Sequence, residues 1–162
     1  MRAVCNASPL ISLSAIHSLN LLPPLFKEIT IPQAVFDEII AGRGRPGAAE
    51  VAEANWIRVQ AVSRRHAVNQ ILETVRLGLG ESEAIVLAKE IDAKFLILDD
   101  AAARRAARRR GLTVIGTFGI LLAAKQAGLL TAVAAPLQAL AAAGKYISPA
   151  TYREILRKAG EV

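Results

Sequence analysis

The chain has 162 residues, which suits one folded domain, and 53% of them are hydrophobic, which is enough for a sizeable core. The formal net charge of +6 favours polyanionic partners, and the single cysteine, Cys5, excludes an intrachain disulfide and a cysteine-based zinc site. No apolar run reaches the ~18 residues of a membrane-spanning helix and the first residues make a poor signal peptide, so we expect a cytoplasmic protein without membrane contact.

The first half of the chain alternates short apolar runs with helical patterns. Residues 2–5 are predicted to form a buried strand, and Ser8 followed by Pro9 is typical of a helix N-cap and the first helical position. The other elements predicted here are a short helix over 21–26, a strand over 28–31, a helix from Pro32 to Gly42, a short helix near 47–54 and a strand over 56–62.

The second half continues the alternation without a linker or a repeat. Its predicted elements are helices near 64–76 and 81–90, a strand over 95–98, a helix over 100–110, a strand over 112–115, and helices near 117–127, 132–143 and 149–159. Strands that alternate with helices favour an α/β fold in which a mostly parallel sheet is covered on both faces. We expect one domain over residues 1–162, with the C-terminal helices of 132–159 packed on it.

Polar side chains follow two of the predicted strands. Asn6 comes directly after the first strand, and the sequence FLILDD ends a buried strand on Asp99 and Asp100. Ligands in open α/β sheets bind beyond the carboxyl ends of the strands, so these side chains are candidates for a site. An aspartate there also makes a good helix N-cap, and the two roles are compatible.

Carboxylates on two predicted helices border apolar stripes. Glu83 and Glu81 lie on either border of the stripe of their helix, and Glu38 borders the stripe of the helix that starts at Pro32. Glu81 is also a first-turn charge that the helix dipole favours. Clustered carboxylates suit a hard divalent cation such as Mg²⁺, which takes oxygen ligands. Spacing alone leaves two interpretations open, a metal site and a set of helix caps and helix-edge charges.

Five segments, taken in order and spacing, resemble the PIN-domain superfamily, in its branch of small prokaryotic proteins related to VapC toxins. They are VCNASPLISLSAI, ITIPQAVFDEII, LGLGESEAIVLAKE, FLILDDAAARRAARRRGL and VIGTFGILLAAKQAGLL. The ending AAAGKYISPATYREILRKAGE also looks like that branch. The resemblance implies a three-layer α/β/α sandwich with a central parallel sheet. It also implies a metal-dependent nuclease that acts on RNA with Mg²⁺ or Mn²⁺.

The acidic positions of the superfamily fall, by motif, on Asn6, Glu38, Glu83 and Asp100, with Asp99 as a neighbouring metal ligand. Glu38, Glu83 and Asp100 are then the catalytic candidates, and Glu81 precedes the matching position. The departure is Asn6, because the superfamily's residue there is typically Asp. An amide oxygen can ligate a cation, but it carries no charge and cannot act as a base, so the resemblance predicts weakened cation affinity.

Substrate contacts are expected beside the acidic residues. ARRAARRR includes Arg104 and Arg105 on one helix side, which is either a phosphate-contacting ridge or a solvated helix face. Ser8 is interpreted first as a cap that can also orient the site, and Thr117 as either an N-cap or a polar contact. The resulting hypothesis is a ribonuclease toxin, a homodimer by resemblance, with RNA and a cognate antitoxin as partners. The alternatives are a catalytically impaired PIN fold that binds RNA or protein, and a generic α/β ligand-binding domain.

Overall fold

A computed structural model describes residues 1–162 and confirms the α/β class, with five strands in one entirely parallel sheet. The strands are β1 (Arg2–Cys5), β2 (Glu28–Pro32), β3 (Ile57–Gln60), β4 (Phe95–Ile97) and β5 (Val114–Ile115). Their order across the sheet is β3-β2-β1-β4-β5. The chain therefore builds the sheet outwards from β1 in one direction, and then returns to add β4 and β5 on the other side.

Ten α-helices surround the sheet, and each corresponds to a helix expected from the sequence. They are α1 (Ala7–Ala15), α2 (Leu22–Leu25), α3 (Gln33–Ala41), α4 (Ala48–Glu53), α5 (Arg65–Thr74), α6 (Leu79–Glu90), α7 (Ala101–Arg109), α8 (Thr117–Gln126), α9 (Ala134–Ala142) and α10 (Pro149–Lys158). A 3-10 turn over Leu19–Leu21 precedes α2. None of the helices combines the length and the apolar character needed to cross a bilayer.

Two hydrophobic cores lie on opposite faces of the sheet, as the pleat requires. Ala3 and Cys5 of β1 point into a core that is shared with α1, α3 and the C-terminal helices α8, α9 and α10. Val4, between them, points into the other core, shared with α5, α6 and α7. The three layers form the α/β/α sandwich. Cys5 is fully buried, and burial followed by the nearby negative charge of Asp99 raises the pKa of its thiol.

The start of α1 differs from the sequence prediction. The helix begins at Ala7 and its N-cap is Asn6, so the prediction of Ser8 as the N-cap is wrong. The Asn6 backbone is extended and its N–H still donates to the Ile97 carbonyl at 3.0 Å, which continues the pairing of β1 with β4. The turn into the helix therefore needs only that one residue, and Ser8 lies exposed in the first helical turn.

The start of α6 also differs slightly, because the helix begins at Leu79, two residues before the predicted position. Gly78 is the N-cap, and Glu81 reaches back to accept a hydrogen bond from the Gly78 N–H at 3.4 Å. This bond is one half of a capping box, in which a glutamate three residues into the helix satisfies a free backbone donor; Gly78 has no side chain to form the other half.

Candidate active site

The carboxyl ends of β1 and β4 form the centre of the candidate site. These strands are neighbours in the sheet, yet the chain continues from β1 to one side and from β4 to the other. Helices that leave adjacent strands towards opposite sides open a crevice at this switch point, where α/β proteins bind ligands. Asn6 directly follows β1, and Asp99 and Asp100 lie just beyond β4. The structure thus brings these three residues to one edge of the sheet.

Asn6 is buried, with 6% of its surface exposed, and its side chain makes no capping hydrogen bond to α1. The first turn of α6 packs directly against it. A Cβ atom added to Gly80 would lie 3.5 Å from the Asn6 Oδ1 atom and 3.4 Å from a methyl of Val35. These are ordinary van der Waals distances, so α6 packs closely on both β1 and α3 here, and the amide oxygen of Asn6 faces the start of α6.

Glu81 is the carboxylate that links three elements of the site. Partial burial raises its pKa first, and the negative charges of Asp100 and Glu38 raise it further, against the lowering effect of the Gly78 hydrogen bond. Both charges therefore lie close enough to Glu81 to act on it. Glu81 on α6 is thus a neighbour of Asp100, before α7, and of Glu38, on α3. The sequence ranks Glu81 below Glu83 as a candidate ligand, whereas in the structure the charge of Asp100 acts on Glu81.

Asp100 and Glu38 are both exposed to solvent. Asp100 is the N-cap of α7, and its Oδ2 atom accepts a hydrogen bond from the Ala103 N–H at 2.9 Å. The cap fixes the carboxylate relative to the sheet while its other oxygen makes no such bond. Asp100 can therefore serve as the helix cap through Oδ2 and still offer its other carboxylate oxygen to a ligand.

Glu83 lies in a different environment from the other predicted ligands, because its side chain is only 4% exposed. Its Oε1 atom accepts a hydrogen bond from the Ala34 N–H in the first turn of α3, at 3.0 Å. Its Oε2 atom forms an ion pair with the Arg65 guanidinium, at 2.7 Å. Both carboxylate oxygens are therefore occupied by donors of the chain itself, and Glu83 joins α6 to the starts of α3 and α5.

Asp99 is similarly engaged. Its Oδ1 atom accepts from the Thr117 N–H at 2.8 Å, and its Oδ2 atom accepts from the Thr117 hydroxyl at 2.7 Å. The Lys145 ammonium donates to Oδ2 at 3.3 Å. Thr117 is fully buried and its hydroxyl is bonded to Asp99, so the hydroxyl is not free for a substrate. Its polar contact is with Asp99, which it joins to the start of α8.

The two predicted substrate-binding arginines lie in different surroundings, one partly buried beside Asp99 and one exposed on α7. Arg104 is partly buried and its guanidinium lies close against Gly116, beside Asp99. Arg105 is exposed, together with Arg108 and Arg109, while the alanines on the other side of α7 are buried. Sequence reasoning missed two cations, Arg65 and Lys145. Arg65 lies outside the recognised segments and Lys145 within the C-terminal one, and only the folded contacts pair them with Glu83 and Asp99.

The chemistry of the donors fits a hard divalent cation. Mg²⁺ prefers oxygen ligands, keeps several of its waters and is commonly held by one or two carboxylates, and Asp100 and Glu38 offer these beside the Asn6 amide. The structure contains no group of three or more His, Cys, Asp or Glu side chains arranged to hold a metal ion. The five predicted ligands therefore do not form one closed cage, because Glu83 and Asp99 are bound elsewhere.

A comparison with protein families agrees with this fold. A family model described as a PIN domain matches residues 2–161, which is almost the whole chain. A search of curated proteins finds no match.

Proposed function

Because the chain belongs to the PIN-domain family, whose members are generally nucleases, we propose that it is a metal-dependent ribonuclease that hydrolyses RNA phosphodiester bonds. The observation that carries the proposal is the convergence of Glu38, Glu81 and Asp100 beside Asn6 at the switch point of the sheet. The net charge of +6 supports a polyanionic substrate.

In the proposed mechanism, Asn6 and Asp100 offer oxygen ligands for Mg²⁺ or Mn²⁺, with Glu38 at the exposed rim. A bound cation would supply activation of a water and stabilisation of charge on the phosphate. Glu81 is the group best suited to hold a proton near the site, because its pKa is raised towards the working range of a general base.

The two other predicted ligands, Glu83 and Asp99, are positioning residues in this mechanism. Glu83 holds the first turn of α3, the helix that carries Glu38. Asp99 holds the start of α8 and Lys145. Arg105 and its exposed neighbours on α7 follow Asp100 directly in the chain and are proposed to contact RNA phosphates.

The finer biological role rests on the resemblance to VapC-related proteins. In that role the protein is the toxin of a toxin–antitoxin pair, works as a homodimer in the cytoplasm and is blocked by a cognate antitoxin. Co-purification of the chain with the product of a neighbouring small reading frame, with loss of nuclease activity in the complex, is the measurement that tests it.

One alternative has a specific observation in its favour, namely a PIN fold that binds RNA or a protein without cleaving it. Asn6 contributes no charge, and two acidic residues are already neutralised inside the chain, Glu83 by Arg65 and Asp99 by Lys145. Such a protein would bind RNA equally well with and without a divalent cation, and would release no cleavage products.

The deciding experiment compares the wild type with Asp100→Asn after treatment with EDTA. Asparagine is also a good N-cap, so the substitution keeps α7 while removing a charge. We expect Mn²⁺ to restore RNA cleavage and to raise the melting temperature of the wild type only. At about 100 times Kd a ligand adds about 2.7 kcal/mol of stability, or roughly 5–10 °C for a domain of this size.

The matched control is Asp37→Asn, which changes an exposed aspartate next to Glu38 that is hydrogen-bonded to Gln33. It should retain both the melting shift and the cleavage. Absence of a shift in the wild type, or an equal shift in Asp100→Asn, contradicts the proposed cation site and favours the binding module.

A further inference from the structure

The largest cavity of the molecule adjoins the candidate site on the β5 side and has a volume of about 900 Å³. Its walls come from the end of β5, the start of α8, the segment before α10, and α10 itself. The polar and aromatic residues that matter for its chemistry are Asp99, Arg104, Lys145, Tyr146 and Lys158. Its volume is near the upper end of the ~300–1,000 Å³ typical of ligand pockets. Asp99 belongs both to this wall and to the sheet edge that carries Asp100.

Tyr146 is unusual on this wall because 84% of its surface is exposed. It is the only aromatic residue among the large apolar side chains that the fold leaves on the surface. A ring held at the mouth of a cavity, and not packed into the core, offers a free face for stacking. Aromatic faces of this kind stack on unpaired bases, and each such contact is sequence-tolerant because every base has a π-face.

Cations from three elements line the same cavity as the Tyr146 ring. Lys145 is fixed by Asp99 at 3.3 Å and lies 5.7 Å from the centre of the Phe118 ring. Lys158, near the end of α10, is 57% exposed, and Arg104 reaches the wall from α7. The one other acidic side chain of the cavity, Glu154, is paired with Arg157 at 2.7 Å and with Lys158 at 3.8 Å. The three cations outnumber the two carboxylates, so the net charge of the cavity lining is positive.

We propose that this cavity binds a single-stranded segment of RNA, with one unpaired base stacked on Tyr146 and the flanking phosphates against Arg104 and Lys158. The assignment of RNA as the ligand rests on the proposed function. A protein partner is the less favoured occupant, because three cations share the cavity lining with its apolar residues and the net positive charge favours a polyanion. A double-stranded RNA does not fit, since its bases are already stacked and paired.

The test measures binding of a short labelled RNA by fluorescence anisotropy in EDTA, where cleavage does not occur. We expect Tyr146→Ala to weaken binding of a single strand roughly tenfold and Tyr146→Phe to bind like the wild type, because it keeps the ring. The same RNA annealed to its complement should bind both variants equally. Leu129→Ala is the control, since it removes an exposed apolar side chain, 39% exposed, outside the cavity.

The phosphate contacts are tested by salt dependence. Lys158→Gln should flatten the slope of log K against log salt by about 0.7, the value for one phosphate contact on a single strand. Arg153→Gln, which removes an exposed charge of α10 outside the cavity, should leave the slope unchanged. Equal slopes for the two variants would show that Lys158 contacts no phosphate, and would overturn that part of the proposal.

Two results would overturn the stacking assignment. One is a Tyr146→Ala variant with wild-type affinity for the single strand. The other is a variant that keeps its RNA affinity but changes the molar mass by light scattering, which would make Tyr146 part of an interface between copies. Because binding is measured without a cation, failure here is distinguishable from failure of the nuclease proposal, which is judged by Mn²⁺-dependent cleavage.

Discussion

At the scale of single residues, Asn6 would set the cation affinity of the proposed site. It occupies a helix N-cap position without using its side chain as a cap, and it is almost fully buried next to the start of α6. An amide there has no charge to repel Glu81 and Asp100, whereas an aspartate would add one more negative charge to the same small volume. In the proposed site, asparagine would therefore bind a cation more weakly than aspartate, and it would make the cation-free protein more stable.

Asn6→Asp should therefore have opposite effects with and without a metal. In EDTA we expect a loss of about 1–3 kcal/mol in the free energy of unfolding, because a buried charge lacks a partner, or roughly 2–10 °C in melting temperature. With Mn²⁺ the variant should bind the cation more tightly than the wild type and gain the larger melting shift. Thermal melts across a Mn²⁺ titration measure both effects.

The control for this variant is Asn69→Asp, which introduces the same change at an exposed position on α5. It should be neutral in EDTA and with Mn²⁺. If Asn6→Asp destabilises the protein but leaves its Mn²⁺ titration identical to that of the wild type, the cation does not bind beside Asn6.

Single residues also mark the limit of what the sequence predicts. Asn6, Asp99 and Asp100 could be placed at one edge because parallel strands end together there. The choice of Glu83 over Glu81 rested on the resemblance, because both border the same apolar stripe. The surroundings of the two side chains differ through the close packing of α6 at Gly80 and through a distant arginine, Arg65, and neither follows from helical periodicity.

At the scale of elements, Glu83 couples three helices through one buried carboxylate. It accepts from the Ala34 N–H of α3 and pairs with Arg65 of α5, while its own backbone belongs to α6. A negative charge near the first turn of a helix is favoured by the helix dipole. The coupling therefore sets the relative position of Glu38 on α3 and Glu81 on α6.

Glu83→Gln should lower the free energy of unfolding by about 2 kcal/mol, because the loss of the buried charge leaves the Arg65 guanidinium and the Ala34 N–H with a weaker acceptor. Arg65 is 51% exposed and can regain water, which keeps the loss below that of a fully buried pair. Urea denaturation in EDTA measures the effect independently of any activity. Glu73→Gln, exposed on α5, should stay within about 0.5 kcal/mol of the wild type.

A double-mutant cycle separates the ion pair from the helix contact. If Arg65→Gln and Glu83→Gln are additive, the two side chains do not interact in solution and the coupling is due to Ala34 alone. We expect instead a coupling of about 1 kcal/mol, as for residues in one hydrogen-bonded network.

Elements were the most predictable level of this chain. Every predicted strand and helix is present, because short apolar runs and helical stripes are separated by Gly, Pro and polar residues. The errors lie at the ends of the elements. At Ser8 the serine–proline pair resembles a helix N-cap, but only Asn6 separates the end of β1 at Cys5 from the start of α1 at Ala7. A cap depends on backbone angles that neighbouring strands impose, and the local sequence does not contain them.

At the scale of the whole molecule, the strand order explains why both proposed sites lie on one edge. β1 and β4 are neighbours, so Asn6, Asp99 and Asp100 lie at the same end of adjacent strands. β5 is the next strand, and the cavity lined by Tyr146, called the Tyr146 cavity below, opens at its end and shares Asp99 with the candidate site. The C-terminal helices complete this cavity. Their packing on the domain was expected from the sequence, but the contact of Lys145 with Asp99, which brings the segment before α10 to the site, was not.

The C-terminal end is fixed to the domain by one carboxylate. Glu161 accepts hydrogen bonds from the Val133 and Ala134 N–H groups, at 2.8 and 3.2 Å, and from the Lys125 ammonium, at 2.9 Å. These donors lower the pKa of Glu161, first through the Lys125 hydrogen bond. A depressed folded-state pKa means that the stabilisation is complete above the ordinary value of 4.5 and is lost as the pH falls through the folded value.

Glu161→Gln should therefore lower the melting temperature at neutral pH, and the difference from the wild type should shrink as the pH falls below 4.5 and the wild-type carboxylate becomes protonated. Glu53→Gln, on the exposed side of α4, should follow the wild type throughout. Since α10 also forms a wall of the Tyr146 cavity, loosening the end of the chain should weaken binding of the single-stranded RNA at neutral pH. A constant gap in melting temperature across the whole pH range would mean that the charge of Glu161 does not hold the C-terminal end in place.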